Sequence, residues 1–243
     1  MRRALAILMV ASVVLAGCLG DADSDVFYGE DINPPMPVDD FVLMDENGEY
    51  YSLSQLQGKV IVIAFLFTRC PDICPIVSAN LDFISEELGE SYGSEVAILS
   101  ITVDPWADNS SVLLAYAEQR GLDWPHLTTS NVSDISDLTE VWSNFGVGLQ
   151  TYTTDEDSDG VADGFDTCPG TPEGEPVDDN GCGLETQQPE GDVKILHHPL
   201  DYWVDHTTGT IIVDKQMRQR VWWGDTDWNA DMVLEDIYLL LEE

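Results

Sequence analysis

The stretch KVIVIAFLFTRCPDICP, Lys59 to Pro75, decides how this chain reads. Lys59 to Phe67 is a continuous apolar run rich in Val and Ile, which predicts a central strand buried on both faces. From Pro75 to Leu88 the apolar residues Ile76, Val77, Leu81, Ile84 and Leu88 fall on one helical face. Cys70 and Cys74 therefore sit where a buried strand hands over to a helix. Amides at a helix N-terminus lower thiol pKa at such a junction. Thiolates are soft donors that either select Cu(I) or enter disulfide exchange.

Working outward, Phe41 to Ser54 reads as a hairpin turning at Glu46-Asn47-Gly48-Glu49. Val96 to Val103 is a second buried strand, stopped at Asp104-Pro105. Ser110 to Arg120 is a helix capped by Ser110 or Asn109, His126 to Thr129 a short strand, and Ser133 to Phe145 a helix with Ser133 as its cap. Thr210 to Asp214 and Gln219 to Trp223 form paired strands, and Asp231 to Leu241 is the closing helix. Strands alternating with helices predict an α/β protein with a mixed central sheet flanked by helices, in an order that matches a thioredoxin-like architecture.

The chain has 243 residues with 44% hydrophobic content, enough for one full domain plus a small insert. Its formal charge of −37 repels nucleic acid and anionic headgroups, so no nucleic-acid partner is expected. Met1-Arg2-Arg3 followed by apolar Ala4 to Val14 reads as a signal peptide, residues 1–17. Leu15-Ala16-Gly17-Cys18 matches a lipobox, so Cys18 is the expected lipidation site and membrane anchor. The acidic, proline-containing Asp21 to Pro37 reads as a flexible tether, placing an 18–33 linker before a folded domain over 34–243. The remaining four cysteines pair as Cys70 with Cys74 and Cys168 with Cys182. An extracytoplasmic location permits a structural disulfide in the second pair.

The spacing C-x-x-x-C is one residue wider than the C-x-x-C of disulfide oxidoreductases. The wider loop lets two thiolates point at one ion, although a disulfide is still reachable. Two sulfurs leave a soft ion short of donors, and the imidazole of His206, just before a strand in DYWVDHTTGTIIVD, is a suitable third ligand. His197 and His198 compete for that role, while His126, beside Pro125, reads as structural. The same cysteines could alternatively serve as a thiol–disulfide redox centre.

Three motifs in order carry a family resemblance. TRCPDICP, then Val103-Asp104-Pro105 after the next strand, then Val204-Asp205-His206-Thr207 before a late strand, resemble the Sco/SenC family of copper-binding cytochrome c oxidase assembly proteins. The opening FVLMDENGEYYSLSQLQGKVIVIAF is similar to that family's start. The resemblance implies a thioredoxin-like fold in which Cys70, Cys74 and His206 bind copper. Asp72 reads as shaping the cysteine loop, and Asp104 and Asp205 as organising the loops around the site, with Asp205 alternatively orienting the neighbouring His206 ring. It also implies a membrane-tethered chaperone on the extracytoplasmic face. Such a chaperone takes copper from an upstream donor and passes it to the CuA centre of oxidase subunit II. The alternative is an extracytoplasmic thiol–disulfide oxidoreductase that reduces the recipient's cysteines.

The stretch 155–190 interrupts this domain, being rich in Asp, Gly, Pro and Glu without an apolar period. DEDSDGVADGFD has the arithmetic of a calcium loop: Asp155, Asp157 and Asp159 at positions one, three and five, Gly160 at six, the Val161 carbonyl at seven, Asp163 at nine and Asp166 at twelve. The longer pattern through Cys182 resembles thrombospondin type-3 repeats. In those repeats cysteines after the loop can close a small disulfide, matching Cys168 and Cys182.

Overall fold

The computed structural model describes residues 27–243 apart from 72, 153–154, 160, 162–167, 169, 173, 179–180, 184–201, 208 and 225–227. The KVIVIAFLF run forms β4 (Val60–Leu66), and the second apolar run forms β5 (Val96–Thr102); all seven residues of each are buried. They pair in parallel, and β6 (His126–Leu127) continues the parallel set. On the other side β9 (Gly209–Val213) runs antiparallel to β4, followed by β10 (Arg218–Trp223) and then β1 (Glu30–Pro37). The order β1-β10-β9-β4-β5-β6 is a mixed six-stranded sheet. Two small ribbons stand apart from it: β2 (Val42–Met44) with β3 (Tyr50–Ser52), and β7 (Leu149–Tyr152) with β8 (Trp203–His206).

Helix α1 (Ile73–Leu88) links β4 to β5 and packs against α4 (Ala230–Glu242). Helix α2 (Ser110–Arg120) lies against β6, and α3 (Ser136–Asn144) beside β2. Asn109 caps α2, its side chain accepting the Val112 amide at 3.2 Å. The mixed sheet with flanking helices is the expected thioredoxin-like α/β fold.

Two expectations are corrected. The tether ends earlier than predicted: Glu30 to Pro37 is an edge strand on β10, and Phe27 is buried in the core. Prolines in Asn33-Pro34-Pro35 suggested a linker, but an outermost strand has one side without ladder bonds and so tolerates them. The pairing register shifts between Asp31 and Met36, across those prolines. The amides of Tyr28 and Gly29 donate to buried Asp236 at 2.8 and 3.0 Å, pinning the segment to α4. A Cβ at Gly29 would lie 2.6 Å from both Trp223 Nε1 and Val221 Cγ1, so any larger residue would force the strand or those side chains to shift. The second correction is α3, which starts at Ser136 and is not capped by Ser133. Asn131 and Asp134 side chains accept the Ser133 and Ser136 amides at 3.1 and 3.2 Å, and these local turns compete with the helix. Residues 1–17 and Cys18 lie outside the described residues; among those described, no helix is long and apolar enough to cross a membrane.

Candidate metal and thiol site

Helix α1 begins two residues earlier than its apolar face suggested, so Cys74 lies in its first turn and Cys70 just ahead of it. The Cys74 amide points at the Cys70 sulfur, N to Sγ 3.4 Å. This is the helix-terminal donor expected from the sequence, and it favours the thiolate. Cys74 is buried and Cys70 partly exposed; the two are not joined in a disulfide. Asp72 lies outside the described residues.

The loop after β5 holds the cysteine segment with two buried carboxylates. Asp108 accepts the Thr68 amide at 3.0 Å, the Thr68 hydroxyl, and the Thr102 hydroxyl at 2.7 Å. Burial pushes its carboxyl up to about 6; the Thr68 and Thr102 bonds pull the other way, and neighbouring Asp104 adds to the rise. Asp104 accepts from Arg69 Nε and Nη2 at 3.1 and 2.7 Å and from the Tyr202 hydroxyl at 2.5 Å. Burial and the bond to Asp104 raise the Tyr202 pKa, so the phenol keeps its proton. Asp104 thus organises loops, as expected. Arg69, Tyr202, Asp108 and Trp106, whose ring meets Tyr202 edge-on at 6.2 Å, were not foreseen. Arg69 beside Cys70 in a chain so poor in cations was the one available hint.

His206 closes β8, opposite Leu149 of β7. Its ring meets Phe67, three residues before Cys70, edge to face with centres 5.6 Å apart. Burial lowers its pKa, so the ring is neutral at pH 7. Nδ1 lies 3.1 Å from the Thr207 carbonyl. With the proton on Nδ1, that bond leaves the Nε2 lone pair for a metal. The Thr207 carbonyl, not Asp205, therefore orients the ring, and Asp205 is exposed. The ligand atoms of Cys70, Cys74 and His206 are not gathered within 4.8 Å of one another; among the described residues the cluster that is so gathered is Asp155, Asp157 and Asp159. His197 and His198 lie outside the described residues. His126 is fully buried, its Nδ1 2.8 Å from the Trp124 carbonyl, consistent with the structural role expected of it. One turn beyond Cys74, Ser78 shares a buried 2.9 Å hydrogen bond with the Tyr116 hydroxyl.

The insert connects β7 to β8, the ribbon that carries His206. Asp159 N and Val161 N donate to Asp157 and Asp159 carboxylates at 3.4 and 2.8 Å, curling the chain so that the three aspartates face inward. Asp157 also accepts the Gly170 and Thr171 amides at 2.7 and 2.8 Å. Val161 is buried, and Cys168 and Cys182 form the expected disulfide. Asp163 and Asp166 lie outside the described residues.

The site thus combines a dithiol at a helix N-terminus with a neutral imidazole packed on Phe67, three residues before Cys70, in a thioredoxin-like domain. The family model described as SCO1/SenC matches residues 30–167, and the chain belongs to that family. An SCO2-like protein of Rickettsia typhi is 33% identical over 116 residues, 48% of this chain and 56% of that protein. The SCO1 protein homolog of Bacillus subtilis is 31% identical over 115 residues, 45% of this chain and 59% of that protein. The matches therefore span little more than half the length of these relatives. Among solved structures, apo Sco1 from Thermus thermophilus superposes with a TM-score of 0.61 at 26% identity, covering 88% of this chain and 97% of that one. Copper-bound ScoI of Bradyrhizobium japonicum shares the fold with a TM-score of 0.57 at 18% identity, covering 84% and 99%.

Proposed function

We propose that this protein is a lipid-anchored copper chaperone in cytochrome c oxidase assembly, with Cys70, Cys74 and His206 as copper ligands. The observation that carries this reading is the meeting of His206 with Phe67 at the end of the strand that delivers the cysteines. Two sulfurs and one neutral imidazole are a soft donor set that suits Cu(I). Copper here is cargo. Capture requires the β7–β8 ribbon or the cysteine loop to close, because the three donors are not yet in one sphere. Transfer follows by ligand exchange with the thiolates of a recipient, which the family resemblance gives as the CuA site of oxidase subunit II; an upstream donor loads the protein. The lipobox ending at Cys18 supports tethering on the extracytoplasmic face. His206→Ala tests the assignment: copper affinity falls while thiol exchange is largely kept. Wild-type affinity for Cu(I) and Cu(II) in that variant would refute it.

A second reading is favoured by the asymmetry of the thiols. A partly exposed Cys70 with a buried Cys74 suits attack by one and resolution by the other, as in a disulfide reductase. Insulin-disulfide turnover by the metal-free protein, set against copper stoichiometry, separates the two readings.

The insert is read as a calcium loop, with Asp155, Asp157, Asp159, the Val161 carbonyl, Asp163 and Asp166 as ligands and the Cys168–Cys182 disulfide as its brace. Carboxylates this close repel unless a hard cation neutralises them. Calorimetric titration decides it, and no heat at millimolar Ca²⁺ removes the claim. Because the insert joins β7 to β8, ordering by Ca²⁺ would restrain the His206 ribbon. Copper affinity measured with Ca²⁺ and with chelator tests that link; equal values would break it.

A further inference from the structure

We infer that Asp104 is a positioning residue that latches the cysteine loop to the His206 ribbon, gripping Arg69 on one side and Tyr202 on the other. The inference rests on the copper reading above for its purpose, but not for its geometry. The Asp104 side chain is fully buried, where a lone charge is costly unless paired. Both Arg69 contacts fall on Oδ2, at 3.1 and 2.7 Å, and the Tyr202 hydroxyl takes Oδ1 at 2.5 Å. The Arg69 guanidinium lies 4.5 Å from the Tyr202 ring centre, so the three groups close a triangle. The Asp104 amide donates to Thr102 Oγ1 at 2.9 Å, which fixes the carboxylate's base to the end of β5.

What the triangle joins gives it meaning. Arg69 is the residue before Cys70. Tyr202, Val204 and His206 share one face of the extended segment by strand alternation, and Val204 is buried. The β7–β8 ribbon shares no strand ladder with the central sheet, to which β8 is joined by the short link to β9, so side-chain contacts help to hold it against the cysteine loop. Asp108 bonds Thr68 and Thr102 on the loop-and-sheet side; Asp104 is the carboxylate that reaches across to the ribbon. Losing the Tyr202 hydroxyl should free the ribbon while the sheet stays intact.

The test uses Tyr202→Phe, which keeps the ring under Arg69, with Asp104→Asn as a second variant and His206→Ala as a control. In the metal-free protein, carbethoxylation of His206 by diethyl pyrocarbonate is followed by mass spectrometry, with fully buried His126 as internal reference. Tyr202→Phe is expected to speed His206 modification about tenfold, the response of an opening equilibrium to one lost charge-assisted hydrogen bond, while His126 stays protected. In the Cu(II)-loaded variant, nitrogen superhyperfine coupling in the electron paramagnetic resonance spectrum weakens while sulfur-to-copper absorption persists. A wild-type modification rate at His206 would overturn the latch. If His206→Ala keeps the nitrogen coupling, the ligand assignment fails instead, and the modification rates still judge the latch alone.

Discussion

Phe67 and His206 lie 139 positions apart in sequence, yet their rings meet at 79° with centres 5.6 Å apart. The phenyl shields the imidazole from water, which helps lower its pKa. Phe67→Ala removes that cover. The variant should lose about 3 kcal/mol of stability, in the range of buried Phe truncations, and its His206 should titrate nearer 6.5. Urea unfolding and a proton NMR titration of the metal-free protein measure both; an unchanged titration midpoint would show that Phe67 does not set the imidazole's environment.

Asp108 gives a pH signature. Its folded pKa of about 6 exceeds the ordinary 3.8, so the folded state holds the proton more tightly. That contribution to stability is complete below 3.8 and is lost as pH rises through about 6. The gap corresponds to about 3 kcal/mol. Stability of the wild type relative to Asp108→Asn should therefore fall between these values and level off above them. A difference that stays flat, or rises with pH, would contradict the burial-driven shift.

Asp236 anchors the N-terminal segment. It accepts from Tyr28 N, Gly29 N and, at 3.0 Å, from Trp223 Nε1. Asp236→Ala leaves donors unsatisfied in a buried site and should cost on the order of 3 kcal/mol or more. Amide exchange should speed up along β1 ahead of β4 and β5. Equal protection in β1 would mean the edge strand holds without the carboxylate.

Gly29→Ala probes the same junction from the other side. The added methyl meets Trp223 and Val221 at 2.6 Å, so the strand must shift or the indole must turn. A cost of about 1 to 3 kcal/mol is expected, read as a lower urea midpoint with altered near-ultraviolet circular dichroism. A wild-type midpoint would show that the N-terminal segment yields freely.

The central elements were legible because burial writes itself into composition: β4 and β5 are unbroken apolar runs, and the dithiol stands at the end of one. His206 was singled out by motif order and by its place just before a late strand, not by any pattern linking it to the cysteines. The tether was misread at Glu30–Pro37 because an edge strand exposes most of its side chains and so lacks an apolar period. The Arg69–Asp104–Tyr202 triangle was illegible for a different reason. It joins residues 98 positions apart at its widest bond, and nothing in local spacing encodes which buried carboxylate meets which distant phenol. The start of α3 was misplaced because Asn131 and Asp134 side chains capture amides that a helix would otherwise use.

X-ray absorption at the copper edge of the Cu(I)-loaded protein, compared with His206→Ala, tests the ligand set most directly. Two sulfur donors and one imidazole nitrogen are expected in the wild type, and the sulfurs alone in the variant. Identical spectra for the two proteins, or a coordination shell without sulfur, would contradict the assignment of Cys70, Cys74 and His206.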